Sequence, residues 1–318
     1  MTALPTVVAR DLELQPEQHR WLIDGLWSDG AVGIVGGEPK CGKSFLALDV
    51  AVAVATGTPC LGRFEVARPG RVLLFAAEDA LHVVRDRLAG IAAARGTTLE
   101  RLDIHVITAP SVRLDIEEDR RRLQQTVAQL RPRLLVLDPF VRLHRRDENL
   151  SGEVAPLLAF LRDLQRRWSV AVVVVHHSRK GAGQMRAGQA LRGSSEFHAW
   201  GDSNLYLRRV SATDRLRLLV EHRAAPPDGP FELELRAGGE SLALAVVDDS
   251  TDDNGGQFDR SPVDRIIAAL ADASVPLSLA ALRTACRMKN QSLGRAVTEL
   301  AKQGRVRRTD RGYELVGA

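Results

Sequence analysis

The chain has only three cysteines in 318 residues, Cys41, Cys60 and Cys286. Their wide spacing fits neither a disulfide framework nor a zinc knuckle, so three reduced thiols are expected. Long apolar runs are missing too. No unbroken stretch of about 18 residues is available to cross a bilayer, and no charged-then-apolar leader is present. A soluble, unexported, cytoplasmic protein without a membrane partner is the expectation. Strong charge is also absent: the formal net of +4 is mild for this length and argues only weakly for a nucleic-acid partner. Its distribution is uneven. From Asp259 onward there are 11 Lys or Arg against 6 Asp or Glu, so the basic excess is entirely C-terminal. Lysine itself is rare, arginine supplying 39 of the 44 basic residues, a bias that points to a GC-rich source rather than to a function.

What is present is a phosphate loop. Gly37-Glu38-Pro39-Lys40-Cys41-Gly42-Lys43-Ser44 follows an apolar run from Ala31 to Val35 and precedes Phe45-Leu46-Ala47-Leu48. Strand, glycine loop and helix in that order form the context in which backbone N–H groups wrap a β-phosphate. Lys43 then reaches the β and γ oxygens, and the Ser44 hydroxyl can ligate Mg²⁺. The helix dipole starting near Phe45 adds to the anion site. Cys41 reads as a small residue filling a tight turn, with no redox role.

Around this motif, β-rich runs alternate with helical patterns. Arg71 to Ala77, Ile104 to Ile107, Leu134 to Leu137 and Ser169 to Val175 read as strands; Leu81 to Arg95, Glu117 to Leu130 and Val154 to Trp168 read as the helices between them. Such alternation predicts an α/β fold with a mostly parallel sheet, helices on both faces and a ligand site at the C-terminal strand edge. Further runs at Ser203 to Arg209, Leu216 to His222, Phe231 to Leu235 and Leu242 to Val247 predict an antiparallel extension. The Trp21 to Trp27 cluster is expected to lie against the core or a neighbouring subunit. Residues 248–258 have linker composition, acidic and glycine-bearing, which separates a core of residues 1–247 from a tail of residues 259–318.

In the tail, helices are predicted at Pro262 to Leu270, Leu279 to Cys286 and Ser292 to Gln303, with a hairpin over Val306 to Val316 turning at Asp310 to Gly312. Three helices and a basic hairpin resemble a winged helix-turn-helix. Lys289, Asn290, Gln291, Ser292 and Arg295 would then face duplex DNA, and Arg307, Arg308 and Arg311 would arm the wing. A protein-interaction winged helix is the other reading, since fold does not fix function.

Strand ends supply the remaining site residues. Leu134 to Asp138 is an apolar strand ending in a carboxylate, which puts Asp138 beside the Mg²⁺ held by Ser44. Glu78, just past a strand, is placed to polarise the attacking water, whereas Asp79 suits the acidic first turn of the next helix. In His176-His177 an imidazole could contact the γ-phosphate; a shared metal is disfavoured because neighbouring strand residues point to opposite faces.

Together, Gly37 to Ser44, Glu78-Asp79, Asp138-Pro139, His176-His177-Ser178 and Arg192-Gly193-Ser194-Ser195 resemble the RepA-like branch of the RecA/DnaB superfamily, over roughly Trp21 to Val247. That resemblance implies a RecA-like P-loop core, with Glu78 as catalytic base, Asp138 as the Walker B aspartate and His177, rather than His176, as the γ-phosphate sensor. It implies ATP and Mg²⁺ as cofactors and a ring, such as the hexamer of the replication helicases it resembles, in which each site is completed by an arginine finger from the neighbour. Leu218 to Arg223 resembles the finger strand of DnaB-type helicases, which makes Arg223 the first choice; in the RepA helicase the finger follows the Arg-Gly-Ser-Ser element, where this chain has Asp202, with Arg208 and Arg209 downstream.

Two loops could meet single-stranded DNA: Val141 to Ser151, with Arg142, Arg145 and Arg146, and Ser178 to Leu191, with Lys180 and Arg186. Neither has an aromatic residue to stack bases, so contact would be electrostatic; solvated surface charge is the competing reading. The resulting expectation is a Mg²⁺-dependent ATPase acting as a replication-type DNA helicase or translocase. A DNA-bound ATP switch, serving as regulator or loader, is the alternative.

Overall fold

The computed structural model describes residues 4–12, 20–177, 196–210 and 215–247 and, further on, 262–271, 273, 276–286, 297, 300–301, 305–309 and 312–315. Two compact units divide the chain, Met1–Val247 and Asp248–Ala318. The second loop above (Ser178 to Leu191), the Arg192 to Ser195 element, the acidic linker, and Lys289, Asn290, Gln291, Ser292, Arg295 and Arg311 lie outside the described residues.

The first unit opens with a small hairpin, β1 (Trp21–Ile23) and β2 (Trp27–Ser28). Leu22, Ile23, Leu26 and Trp27 are fully buried in the main core, so the cluster belongs to this chain's own interior. Then come β3 (Val32–Gly37), α1 (Lys43–Thr56), β4 (Val72–Ala76), α2 (Leu81–Ala94), β5 (Ile104–Val106), α3 (Glu117–Leu130), β6 (Leu134–Asp138), α4 (Ser151–Trp168), β7 (Ala171–His177), α5 (Glu196–Trp200), β8 (Ser203–Arg209), β9 (Leu216–His222), β10 (Asp228–Gly238) and β11 (Ser241–Val246). These strands form one nine-stranded sheet in the order β11-β10-β9-β8-β3-β7-β6-β4-β5. From β8 to β5 the pairings are parallel; from β8 to β11 they are antiparallel. This is the predicted mixed α/β architecture of a RecA-like core.

Period-two alternation divides the core between the two sheet faces. Leu134, Val136, Val173, Val175, Leu205 and Leu207 pack on the side of α1 and α2. Leu135, Leu137, Val172, Val174 and Tyr206 pack on the side of α3 and α4. Helix α1, buried from Leu46 to Val54, is apolar nearly all round because the sheet and α2 both cover it. Helix α3 buries only Leu123 and Val127, its outer side carrying the i,i+3 pairs Glu118–Arg121 and Asp119–Arg122. Several boundaries depart from expectation: β7 lies two residues later than the expected Ser169 to Val175, because Ser169 caps α4 in the left-handed region, and α4 and β10 run long. Helix α4 starts three residues early because its first turn, Ser151-Gly152-Glu153, is polar and outside the apolar periodicity; Glu153 accepts from the Asp147 N–H at 3.0 Å. Strand β10 overruns at both ends, where its exposed residues leave no alternation to read.

The second unit contains α6 (Pro262–Ala271), α7 (Leu279–Cys286) and an antiparallel hairpin of β12 (Val306–Thr309) and β13 (Gly312–Leu315). Ile266, Leu270, Leu282, Cys286, Val297, Leu300 and Val306 form its core. Among the described residues, no helix is long and apolar enough to cross a membrane.

Strands β3 and β8 are in backbone contact. A Cβ on Gly33 would lie 1.7 Å from the Ser203 carbonyl oxygen. Gly33→Ala is therefore expected to destabilise the first unit by at least the roughly 1–3 kcal/mol typical of overpacking, read as a lower urea midpoint; an unchanged midpoint would show that β8 can yield.

Candidate active site

The parallel strands β3, β4, β6, β7 and β8 all end on one edge of the sheet, where a cleft of about 820 Å³ opens. Residues 39 to 45 form its floor, and Glu78, Asp79, Arg87, Asp138, His177 and Arg209 stand around it. The sheet alternation explains the gathering. Asp138 continues the parity of Leu134 and Val136, His177 that of Val173 and Val175, and Arg209 that of Leu205 and Leu207, so all three reach the α1 face.

The loop is tied down at both ends. A Cβ on Gly37 would meet the Leu207 carbonyl oxygen at 2.3 Å, so glycine lets the loop leave β3 hard against β8. Gly42 caps α1, its carbonyl accepting from the Leu46 N–H at 2.9 Å. Cys41 is buried with Sγ 3.5 Å from the Leu207 carbonyl; burial raises its thiol pKa, keeping it protonated, as suits a turn-filling residue. Arg209 Nη2 donates to the Lys40 carbonyl at 2.8 Å.

Lys43 is buried, and Nζ donates to the Glu38 carbonyl at 2.6 Å. Burial lowers its pKa, opposed by Cys41, Asp138, Glu78 and Glu38. Asp138 is 8% exposed, and burial lifts its pKa to about 6, with the Ser44 hydroxyl bond working against that rise and the nearby Asp79 and Glu78 adding to it. A buried carboxylate joined to a serine hydroxyl beside a phosphate loop fits a divalent cation: Mg²⁺ needs only one or two protein ligands when phosphates and water complete its shell. Among the described residues, no group of three or more His, Cys, Asp or Glu is suited to hold a metal by itself.

The two histidines part company as alternation requires. His177 faces the cleft. His176 is buried on the other face, stacked on Phe197 with centroids 4.2 Å apart, its Nδ1 4.0 Å from Glu148. Glu78 lines the cleft but pairs outward with Arg142, Nε to Oε1 being 2.8 Å. Asp79 is held by Arg87 from α2.

Arg223 is not brought to this cleft. Since β9 runs antiparallel to β8, with Ser203 opposite His222, Arg223 lies at the far edge of the sheet. There it pairs with Asp202 at 3.3 Å and donates to the Ala199 carbonyl.

Sequence reasoning missed Arg87 and the apolar wall of Leu216, Leu235 and Leu244, and it named Arg209 only beside Arg208 in the search for a finger, whereas the structure puts Arg209 at this chain's own cleft. The parity of β8 could have found Arg209. Arg87 carries no comparable signal.

Comparison with known proteins finds that AAA_25, an AAA domain, matches residues 2–183. Among solved structures, the RadB recombinase aligns with a TM-score of 0.50 at 19% identity, over 69% of this chain and 92% of that one. A KaiC-like protein from the hyperthermophilic archaeon Pyrococcus horikoshii OT3 aligns with a TM-score of 0.48 at 15% identity, over 70% and 93%.

The electrostatics give a test. With a folded pKa of about 6 against an ordinary 3.8, Asp138 is protonated in folded and unfolded chains alike at low pH and costs nothing. Stability falls as pH rises from about 4, where the unfolded group ionises, to about 6, above which a penalty of roughly 3 kcal/mol is complete. Asp138→Asn should therefore raise the thermal midpoint of the nucleotide-free protein at pH 7.5, leave it unchanged near pH 4, and abolish Mg²⁺-dependent stabilisation by ATP. Equal midpoints at both pH values would refute the strained carboxylate.

Proposed function

We propose that this chain, which belongs to the AAA_25 family of AAA domains and has a RecA-like P-loop ATPase fold, hydrolyses Mg²⁺-ATP as a ring-forming DNA helicase or translocase of the RepA/DnaB type. The observation that carries the catalytic half is the convergence of Lys43, Ser44, Glu78, Asp138 and His177 on one cleft. In this reading the backbone of Gly37 to Ser44 cradles the phosphates and Lys43 neutralises the β and γ oxygens. Ser44 and Asp138 would hold Mg²⁺, which would supply charge stabilisation to the transferred phosphoryl group. Glu78 takes the proton of the attacking water, and His177 contacts the γ-phosphate.

Arg223, on the sheet edge away from its own cleft, serves the cleft of a second copy. Single-stranded DNA runs against Arg142, Arg145 and Arg146, which are all exposed on the loop after β6, and duplex DNA against the tail. The tail's helix pair and its hairpin, with the exposed Arg307 on β12, support a winged helix.

The test is ATP hydrolysis by the full chain with and without single-stranded DNA across a salt series. Stimulation is expected, weakening with salt at a slope near −0.7 per phosphate neutralised. If single strands do nothing while duplex affinity follows the nucleotide state, the protein is a DNA-bound ATP switch instead. Lys43→Ala should abolish turnover, and retained hydrolysis would dismiss the phosphate-loop assignment. Arg223→Ala mixed with Lys43→Ala should regain part of the activity; no rescue at any ratio would remove Arg223 as finger.

A further inference from the structure

We propose that Arg142 is a latch on the Glu78 carboxylate, and that the backbone phosphates of single-stranded nucleic acid open it by drawing the guanidinium away. The inference rests on Glu78 being the catalytic base. To act as one, Glu78 must aim a free oxygen at a water inside the cleft. Arg142, which is not part of the cleft wall, instead engages Oε1 from outside at 2.8 Å.

The geometry favours exchange of partners over a permanent bond. The side chains of Arg142 and Glu78 are 62% and 43% exposed, and an ion pair this open contributes little stability. A phosphodiester offers a guanidinium the same forked hydrogen bonding that a carboxylate does. The backbone beneath is fixed. Arg142 ends a short turn, Phe140–Arg142, directly after β6, and Phe140, Leu143 and His144 are buried. His144 Nδ1 accepts from the Arg146 N–H at 3.1 Å, and the Arg145 N–H donates to Asp115 at 3.3 Å. The arginine side chains, by contrast, extend from this anchored backbone into solvent.

Their surroundings point to a polyanion. Arg145 and Arg146 are exposed, and neither forms a salt bridge among the described residues. Asp115, which accepts from the Arg145 N–H, is already paired with the Arg113 guanidinium at 3.1 Å. Among the described residues, three guanidiniums on five consecutive positions thus have one carboxylate, Glu78, in an ion pair with them. A phosphate chain bound along this turn would replace that carboxylate and return it to the cleft, coupling strand occupancy to hydrolysis.

The experiment is steady-state ATP hydrolysis by the full chain, with and without oligo(dT), for the unaltered protein, Arg142→Ala, Arg142→Gln and Glu78→Gln, each checked for folding by thermal melting. Both Arg142 variants should turn over ATP several-fold faster without DNA and lose most of the stimulation by oligo(dT). Glu78→Gln should bind ATP and be inactive in both conditions. An unchanged or lower DNA-free rate in the Arg142 variants overturns the latch. So does full stimulation that persists in them, or no stimulation of the unaltered protein. Normal turnover by Glu78→Gln would sink the base assignment itself, an outcome read separately from any Arg142 result.

Discussion

The close packing of β3 against β8 is the constraint on which the site depends. Two glycines let the backbones touch: a Cβ at Gly33 or Gly37 would run into the Ser203 or Leu207 carbonyl. With β7 parallel on its other side, β3 has no freedom to shift in register. The phosphate loop therefore begins at a fixed height relative to His177 on one neighbour and Arg209 on the other. Pairing of β7 with β6 and of β6 with β4 carries the same height across to Asp138 and Glu78. Five side chains from five segments meet because one sheet edge is common to all of them.

That also explains which parts of the site were legible in sequence. An apolar strand ending in a polar residue shows in one dimension, so Asp138, the His176-His177 pair and Glu78 could be found from their own neighbours. Alternation then decides which face each takes, and it separates His177 from His176. Arg209 obeyed the same rule but was named only beside Arg208 in the search for a finger serving a neighbour, not as a residue of its own cleft. The pairs Arg87–Asp79 and Arg142–Glu78 left no trace, since each joins residues whose approach is set by how a helix or a turn packs. The apolar wall was equally hidden. Leu216, Leu235 and Leu244 become neighbours of the loop only because β9, β10 and β11 fold back beside β8.

The electrostatics of the cleft have a logic of their own. Burial pushes Lys43 and Asp138 in opposite directions, each away from its charged form. Each also lowers the other's penalty through its charge, so neither is independent. A phosphate anion set against Lys43 and a divalent cation set against Asp138 would oppose both penalties at once. The cost of holding two poorly solvated charges is then recovered most fully when nucleotide and metal arrive together, which favours the complex over either component.

The position of Arg223 constrains assembly by geometry alone. It sits at the edge of the sheet where the parallel strands start, whereas the cleft sits where they end. If this arginine completes the cleft of another copy, the contact joins two different surfaces of the protein. A two-fold symmetric dimer, which pairs a patch with itself, does not achieve that reciprocally through one compact interface. A head-to-tail contact does, and such contacts close into rings or continue as filaments according to the rotation between subunits. Trans activation through Arg223 and two-fold pairing through that same patch are therefore mutually exclusive. Arg223 is engaged within its own chain, on Asp202, itself held by Arg162, and on the Ala199 carbonyl, so service to a neighbour requires its guanidinium to exchange those partners for the phosphate.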